Sequence, residues 1–228
     1  MSRRKTSKKK QEETLVDIVE VRDTAQDYLS KNRKMIFGIG GLLLILVGAF
    51  MVYKFMIQEP KEKQAMESLY WAEYQFSRDS FASALENPGK GFEGFLDIID
   101  NYSGTNASNL SKYYAGVSYL NLGKFDAAVD YLSSFNPAGT VTPIMKQGAL
   151  GDAYSELNDF DAAISAYKSA AFGTSNDLLS PYYLQKYGML QLRQGNAAEA
   201  QKAFEKIKAE YPTSTEGLQI EKYLAKAG

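Results

Sequence analysis

Histidine and cysteine are both absent from the 228 residues. Without cysteine there are no disulfides, thiolate metal ligands, lipidated cysteines or cysteine nucleophiles. Without histidine there is no imidazole base, no Ser-His-Asp triad and no ordinary transition-metal site. The missing cysteine suits an oxidising compartment as well as a reducing one, so it does not give the location. The length allows one ordinary domain, or one domain with an appendage.

The near balance of 26 basic and 27 acidic residues conceals a division. Residues 1–34 carry 10 basic and 6 acidic side chains, whereas 58–228 carry 15 and 21, with Lys54 between. Such asymmetry marks a membrane boundary or a basic tail. From Met35 to Tyr53 the chain reads MIFGIGGLLLILVGAFMVY, 19 residues without a charge, and Phe55, Met56 and Ile57 extend the run past Lys54. At a helical rise this stretch reaches roughly 28 Å, the hydrocarbon thickness of a bilayer. A buried core helix rarely stays apolar all round for this length. A cleaved signal peptide fits less well, because the basic segment before the run and the run itself are both too long. We therefore expect a transmembrane helix over 35–57. Lys31, Arg33 and Lys34 abut its amino end, while Lys61 and Lys63 on the other side interleave with Glu59 and Glu62. The positive-inside rule then places 1–34 in the cytoplasm and 58–228 outside, the periplasm if the host is a bacterium. Gly41 and Gly48 share a helix face, without the small-xxx-small spacing of tight packing motifs.

Within the basic segment, residues 1–13 have nothing to bury and are expected to be disordered. Residues 14–30 place Leu15, Ile18, Val19, Ala25 and Leu29 near one helical face, a short amphipathic helix suited to a protein partner. Nucleic acid is not an expected partner, since no aromatic interleaving or folded recognition module accompanies the basic residues.

Beyond Glu59-Pro60, which should break any helix leaving the membrane, the sequence repeats. AGVSYLNLGKFDAAVDYLSSF, LGDAYSELNDFDAAISAYKSA and YGMLQLRQGNAAEAQKAFEKI align. First-helix glycines (Gly116, Gly151, Gly188), turn residues (Gly123, Asn158, Gly195) and second-helix alanines (Ala128, Ala163, Ala200) all step by 35 and then 37. The glycines let the second helix approach, and the turn positions suit a left-handed conformation. Leu132, Tyr167 and Phe204 are expected to fill the space between adjacent pairs. A degenerate unit precedes them, its first helix running from Lys61 past Tyr74 with Trp71. A long connection containing Asn87-Pro88-Gly89 follows, and Gly91, Phe95, Ile98 and Tyr102 repeat the spacing of Ala200, Phe204, Ile207 and Tyr211. After Pro212, Ser214 can cap a last helix carrying Leu218, Ile220, Tyr223 and Leu224.

These residues resemble the tetratricopeptide repeat. Gly116/Tyr119, Gly151/Tyr154, Ala163/Tyr167, Ala200/Phe204 and Pro212 match its pattern; its tryptophan position holds Lys112, Gln147 and Leu184, and its proline position Thr140 and Ser175 in the first two units. The fold class is thus all-α, a single N-terminal transmembrane helix followed by a repeat solenoid of about four helical pairs and a capping helix.

Catalytic constellations are weak. Asp97/Asp100, Asp126/Asp130 and Asp159/Asp161 suit helix starts and solvated faces. Pro88-Gly89-Lys90-Gly91 lacks the phosphate-loop pattern. Asn101, Asn106 and Asn109 fit the glycosylation acceptor pattern, which matters only in a eukaryotic secretory pathway. No enzyme, catalytic residue, cofactor or metal is expected, and a binding surface remains. In a curved stack the first helices line the concave side, where the register puts Tyr113, Val117, Leu120, Asp152, Ser155, Tyr182, Gln185, Met189 and Arg193. Most of the 16 tyrosines are expected to pack between helices, with hydroxyls at the edge.

The order of parts, with the GKFDAA and GNAAEA turns and the Ala-x3-Phe…Tyr-Pro ending, resembles the ancillary subunit family of the bacterial SecYEG translocon. The resemblance implies a single-pass inner-membrane protein beside the translocon. It would work with a membrane-anchored periplasmic chaperone on emerging secretory polypeptides, touching lipid through its anchor. A structural scaffold of another envelope or secretion complex is the alternative.

Overall fold

The structure is a computed structural model that describes the backbone of residues 3–228 and the side chains of Arg22, Gln26 and residues 28–228. The described residues are helical with no strand, and they divide into two compact units, Met1–Glu59 and Pro60–Gly228.

The first unit is α1, Arg3–Tyr53, followed by a π-helical turn, Lys54–Gln58. Among the described residues, it supplies the helix long and apolar enough to cross a membrane. Its apolar side chains are not those of a core helix, with Phe37 73% exposed and Leu44 75%, and are compatible with a single-pass membrane anchor. The helix starts at Arg3, where the sequence suggests disorder over 1–13. No proline or glycine interrupts the first 37 residues, and Lys, Arg, Gln and Glu are good helix formers. The segment 14–30 is accordingly part of a 51-residue helix and not a short one. The amphipathic face at Leu15, Ile18, Val19 and Ala25 lies outside the described side chains, while Leu29 is exposed.

Pro60 does not break the helix as expected. The Glu59 N–H donates to the Lys54 carbonyl five residues back, and α2 then runs Glu59–Phe76. Proline lacks the N–H that an α-turn would use, and its ring crowds the carbonyl four back. A wide π-turn just before it relieves both conflicts.

The second unit comprises α2, α3 (Phe81–Glu86), α4 (Phe95–Asn101), α5 (Asn106–Asn121), α6 (Phe125–Ser134), α7 (Thr142–Glu156), α8 (Phe160–Phe172), α9 (Leu179–Arg193), α10 (Ala197–Glu210), a 3-10 turn (Gly217–Gln219) and α11 (Glu221–Ala227). From α4 onward each helix packs on the next, the nearest-neighbour arrangement of a solenoid. The turns within the three regular pairs sit at Gly123, Asn158 and Gly195, with φ of 72°, 60° and 79°. This left-handed region is open to glycine and tolerated by asparagine. A hydroxyl caps α5 and a carboxylate caps α8: Thr105 Oγ1 accepts from the Ser108 N–H at 3.0 Å and Asp159 Oδ1 from the Ala162 N–H at 3.1 Å. Glu62 of α2 caps α5, its two oxygens accepting from the N–H groups of Asn106 (2.8 Å) and Ala107 (3.0 Å), a placement the helix dipole favours.

The large second-helix residues reach the next element as expected, Tyr167 stacking on Tyr183 of the next pair and Phe204 packing on Tyr223 of α11, and they also fill a notch within their own pair. Each seats on the first-helix glycine of its own pair. A methyl group on Gly116 would lie 2.5 Å from Leu132 Cγ, and one on Gly151 2.5 Å from the Tyr167 ring, while one on Gly188 would enter the Phe204 ring. Glycine leaves a notch in the first helix, and the facing side chain fills it.

In the degenerate unit, Phe95 and Ile98 are fully buried like Phe204 and Ile207. Gly91, however, is not a second-helix residue; it lies in a left-handed turn (φ 77°) four residues before α4. The connection also contains α3, whose Leu85 carbonyl leaves no room for a side chain on Gly94. At the other end Ser214 Oγ accepts from the Gly217 N–H at 2.9 Å. The 3-10 turn that follows shifts the register, so Ile220 is buried whereas Leu218 is 76% exposed and does not join the core. Tyr223 closes the stack against Phe204, ring centroids 5.6 Å apart.

The notch geometry makes a direct prediction. Gly188→Val in the full chain in detergent should cost about 1–3 kcal/mol by overpacking against Phe204, read by urea unfolding. Gly123→Ala should cost about 1 kcal/mol, from backbone strain alone. A Gly188→Val protein as stable as the parent would refute the seating.

Candidate functional site

The first helices α5, α7 and α9 bear a row of clefts. One, of about 580 Å³, is lined by Leu120, Phe125, Asp152, Ser155, Tyr167 and Lys186, with Glu156 also at its wall. Asp152 is the hub. Its Oδ1 accepts from the Tyr167 hydroxyl and from Lys186 Nζ, both at 2.6 Å. The Lys186 ammonium also lies 4.8 Å from the Tyr182 ring centroid and 5.8 Å from that of Tyr167, within cation–π range. Burial opposes the charge on Lys186, but Asp152 and Tyr182 outweigh it and raise its pKa.

The middle repeat builds this hub through a substitution in register. The position that holds Tyr113 in α5 and Gln185 in α9 is Gly148 in α7. A Cβ there would run into the Tyr183 ring. Two adjacent notches on α7, Gly148 and Gly151, therefore seat Tyr183 of α9 and Tyr167 of α8, stacked with centroids 6.5 Å apart. Burial raises the pKa of both phenols, and the Asp152 charge raises them further.

A second cleft, of about 190 Å³, is apolar and lined by Leu110, Tyr113, Tyr114, Phe135, Thr142 and Met145. Tyr114 stacks on Phe95 at 5.2 Å. Its phenol is pushed up to about 12 by burial and by the nearby Glu73, so this wall is neutral. A third cleft, of about 380 Å³, lies between Tyr182 and the segment Thr213–Glu216.

Of the nine sequence candidates, Leu120, Asp152 and Ser155 share the first cleft, and Tyr182 reaches it through Lys186. Tyr113 lines the apolar cleft, between Tyr114 (5.8 Å) and Phe135 (5.5 Å). Val117 packs against the central core. Gln185 is half-buried and Met189 is 47% exposed. Arg193 lies 5.0 Å over the Phe160 ring. Lys186, Glu156, Leu110 and Met145 are additional. Three were within reach of the same register: Leu110 and Met145 occupy the Tyr182 position, and Glu156 the Arg193 position, at the steps of 35 and 37. Lys186 follows Tyr182 by one helical turn.

The other constellations resolve into structure. Asp97, Asp126 and Asp161 lie in the first turns of α4, α6 and α8. Among the described residues no acidic cluster is arranged to hold a metal. The amides of Asn101 and Asn109 are engaged, on Glu93 Oε1 and the Asn136 carbonyl, both at 2.8 Å.

Sequence models described as tetratricopeptide repeat match residues 111–136, 147–171 and 182–214. The three regular pairs are tetratricopeptide repeats. No curated protein matches the sequence. Tetratricopeptide repeats are protein-interaction scaffolds, and the clefts lie on the first helices of these three.

Because Tyr167 and Tyr183 have raised pKa values, folding favours their neutral form. That stability is fully present below the unfolded value of 10.0. It is lost as pH rises from there towards the folded pKa, by about 1.4 kcal/mol per pH unit for each group. The urea-unfolding free energy of the full chain should therefore fall between about pH 10 and 11, and Tyr183→Phe should make the fall shallower. An unchanged slope in that variant would refute the assignment.

Proposed function

We propose that the chain is a membrane-anchored tetratricopeptide-repeat adaptor of the bacterial inner membrane. Residues 1–34 are cytoplasmic, 35–57 span the bilayer and 58–228 are periplasmic. It works beside the Sec translocon, where its repeats hold emerging secretory polypeptides together with a membrane-anchored chaperone. The observation that carries this reading is the union, in one chain, of an exposed apolar helix with a repeat face bearing several clefts. The basic flank before the span supports the orientation, and the order of parts supports the translocon as neighbour. Tethering raises the effective concentration of the face at an exit site, so weak contacts suffice. The work is binding rather than catalysis.

A structural scaffold that binds no client is the second reading. It is favoured by Tyr70 and Tyr74 of α2, 61% and 43% exposed, which suit a fixed partner. Photo-crosslinkers placed at Tyr182, Met189 and Tyr70 in intact cells separate the two. Adducts at Tyr182 and Met189 with translocon, chaperone or secretory chains, the last disappearing when secretion is blocked, are the expected result. One constant adduct from Tyr70, indifferent to that block, would favour the scaffold. Recovery of neither translocon nor chaperone would overturn the proposal.

A further inference from the structure

The first-helix face changes character along its length. At the α5 end, the apolar cleft has room for one large side chain among Leu110, Tyr113, Phe135 and Met145. Asp152 follows Met145, which lines this cleft, by two turns of the same helix α7, and its charge reaches Tyr113. Both hydrogen bonds to the Asp152 carboxylate described above fall on Oδ1, while a carboxylate offers about four lone-pair sites over its two oxygens. Glu156 lines the central, 580 Å³ cleft together with Asp152 and Lys186; it is exposed and in none of the ion pairs among the described residues. Farther along, Asp177 and Glu216 line the third cleft with Tyr182.

Cations are fewer. Lys186 is bound to Asp152, and Arg193 lies over Phe160. Lys146 donates to the carbonyls of Ser133 (2.9 Å) and Phe135 (2.7 Å). Two carboxylates and one ammonium thus meet at the central cleft, and one more positive charge restores neutrality there.

From this arrangement we infer that the face takes an extended polypeptide segment bearing a large apolar side chain with a lysine or arginine near it in sequence. The apolar side chain enters the Leu110–Met145 cleft, and the cation lies against Asp152 and Glu156. The inference rests on reading this face as the client-binding surface and adds which clients it selects. An acidic segment meets the same carboxylates as repulsion, so selection comes as much from what is refused as from what is held.

Fluorescence anisotropy with the full-length protein in detergent tests this. The probes are a fluorescein-labelled Gly/Ser peptide carrying one Phe and two Arg, the same peptide with Glu for Arg, and the same with Ser for Phe. The Phe/Arg peptide should bind tightest and the Glu version about tenfold weaker, the gap closing between about 50 and about 500 mM salt. Glu156→Gln, at an exposed position where folding is not at stake, should weaken the Phe/Arg peptide about two- to fivefold and leave the Glu version unchanged or tighter. Met145→Ala should weaken only peptides that carry Phe. Equal affinity for the Arg and Glu peptides, or indifference of the Phe/Arg peptide to Glu156→Gln, overturns the charge selection while leaving the face a client-binding surface. Failure of all three peptides to bind overturns both.

Discussion

The notch that glycine leaves in a first helix is the constraint on which the rest of the repeat unit depends. Two helices of ordinary composition pack 8–10 Å apart, with side chains interposed. Removing one Cβ from the facing surface admits a whole Leu, Tyr or Phe onto the backbone, as at Gly116, Gly151 and Gly188. The seated residue is buried, with Leu132 and Phe204 at zero exposure, so one missing methyl contributes the burial of a large side chain. Position along the helix then follows, because a ring too far from its notch would clash.

The same device, used twice in α7, turns packing into a site. Gly148 carries no part of the repeat pattern, yet it draws Tyr183 in from the next pair and sets that ring beside Tyr167. Two buried phenols then flank the residue that follows Gly151, and that residue is Asp152. A carboxylate in such surroundings needs hydrogen-bond donors; Tyr167 and Lys186 supply them. Packing between two adjacent repeats thereby determines where charge can stand on the first-helix face.

This coupling explains what was and was not legible in the residues themselves. The spacing of 35 and 37 gave the helix pairs, their turns and the buried alanines, because all of these are set within one repeat. It also placed Asp152, Ser155 and Leu120 near one another, since equivalent first-helix positions line up along a stack. Lys186 was missed because the equivalent positions of the other repeats hold Ala149 and Tyr114, so the periodicity carries no sign of a charge there. The errors at the ends have local causes. Gly91 has the right distance from Phe95 but lies in a turn, and Leu218 is turned outward by one 3-10 turn. Pro60 should stop an α-helix; a π-turn at Lys54–Gln58 is an escape that no composition rule signals.

Asp152, though bound to Lys186, is left open to a partner's charge, because that pair is only partly covered. The two side chains are 30% and 28% exposed, so water keeps their mutual attraction modest and leaves the field of the neighbouring Glu156 unopposed. A buried pair would be electrically closed and costly to disturb; a fully exposed one would be screened within about 8 Å at physiological salt. At intermediate burial the hub is rigid enough to hold a fixed arrangement of rings and open enough for a partner's charge to be felt. Such a surface suits weak, reversible selection, the kind of contact that tethering next to its partner would strengthen without any new interaction.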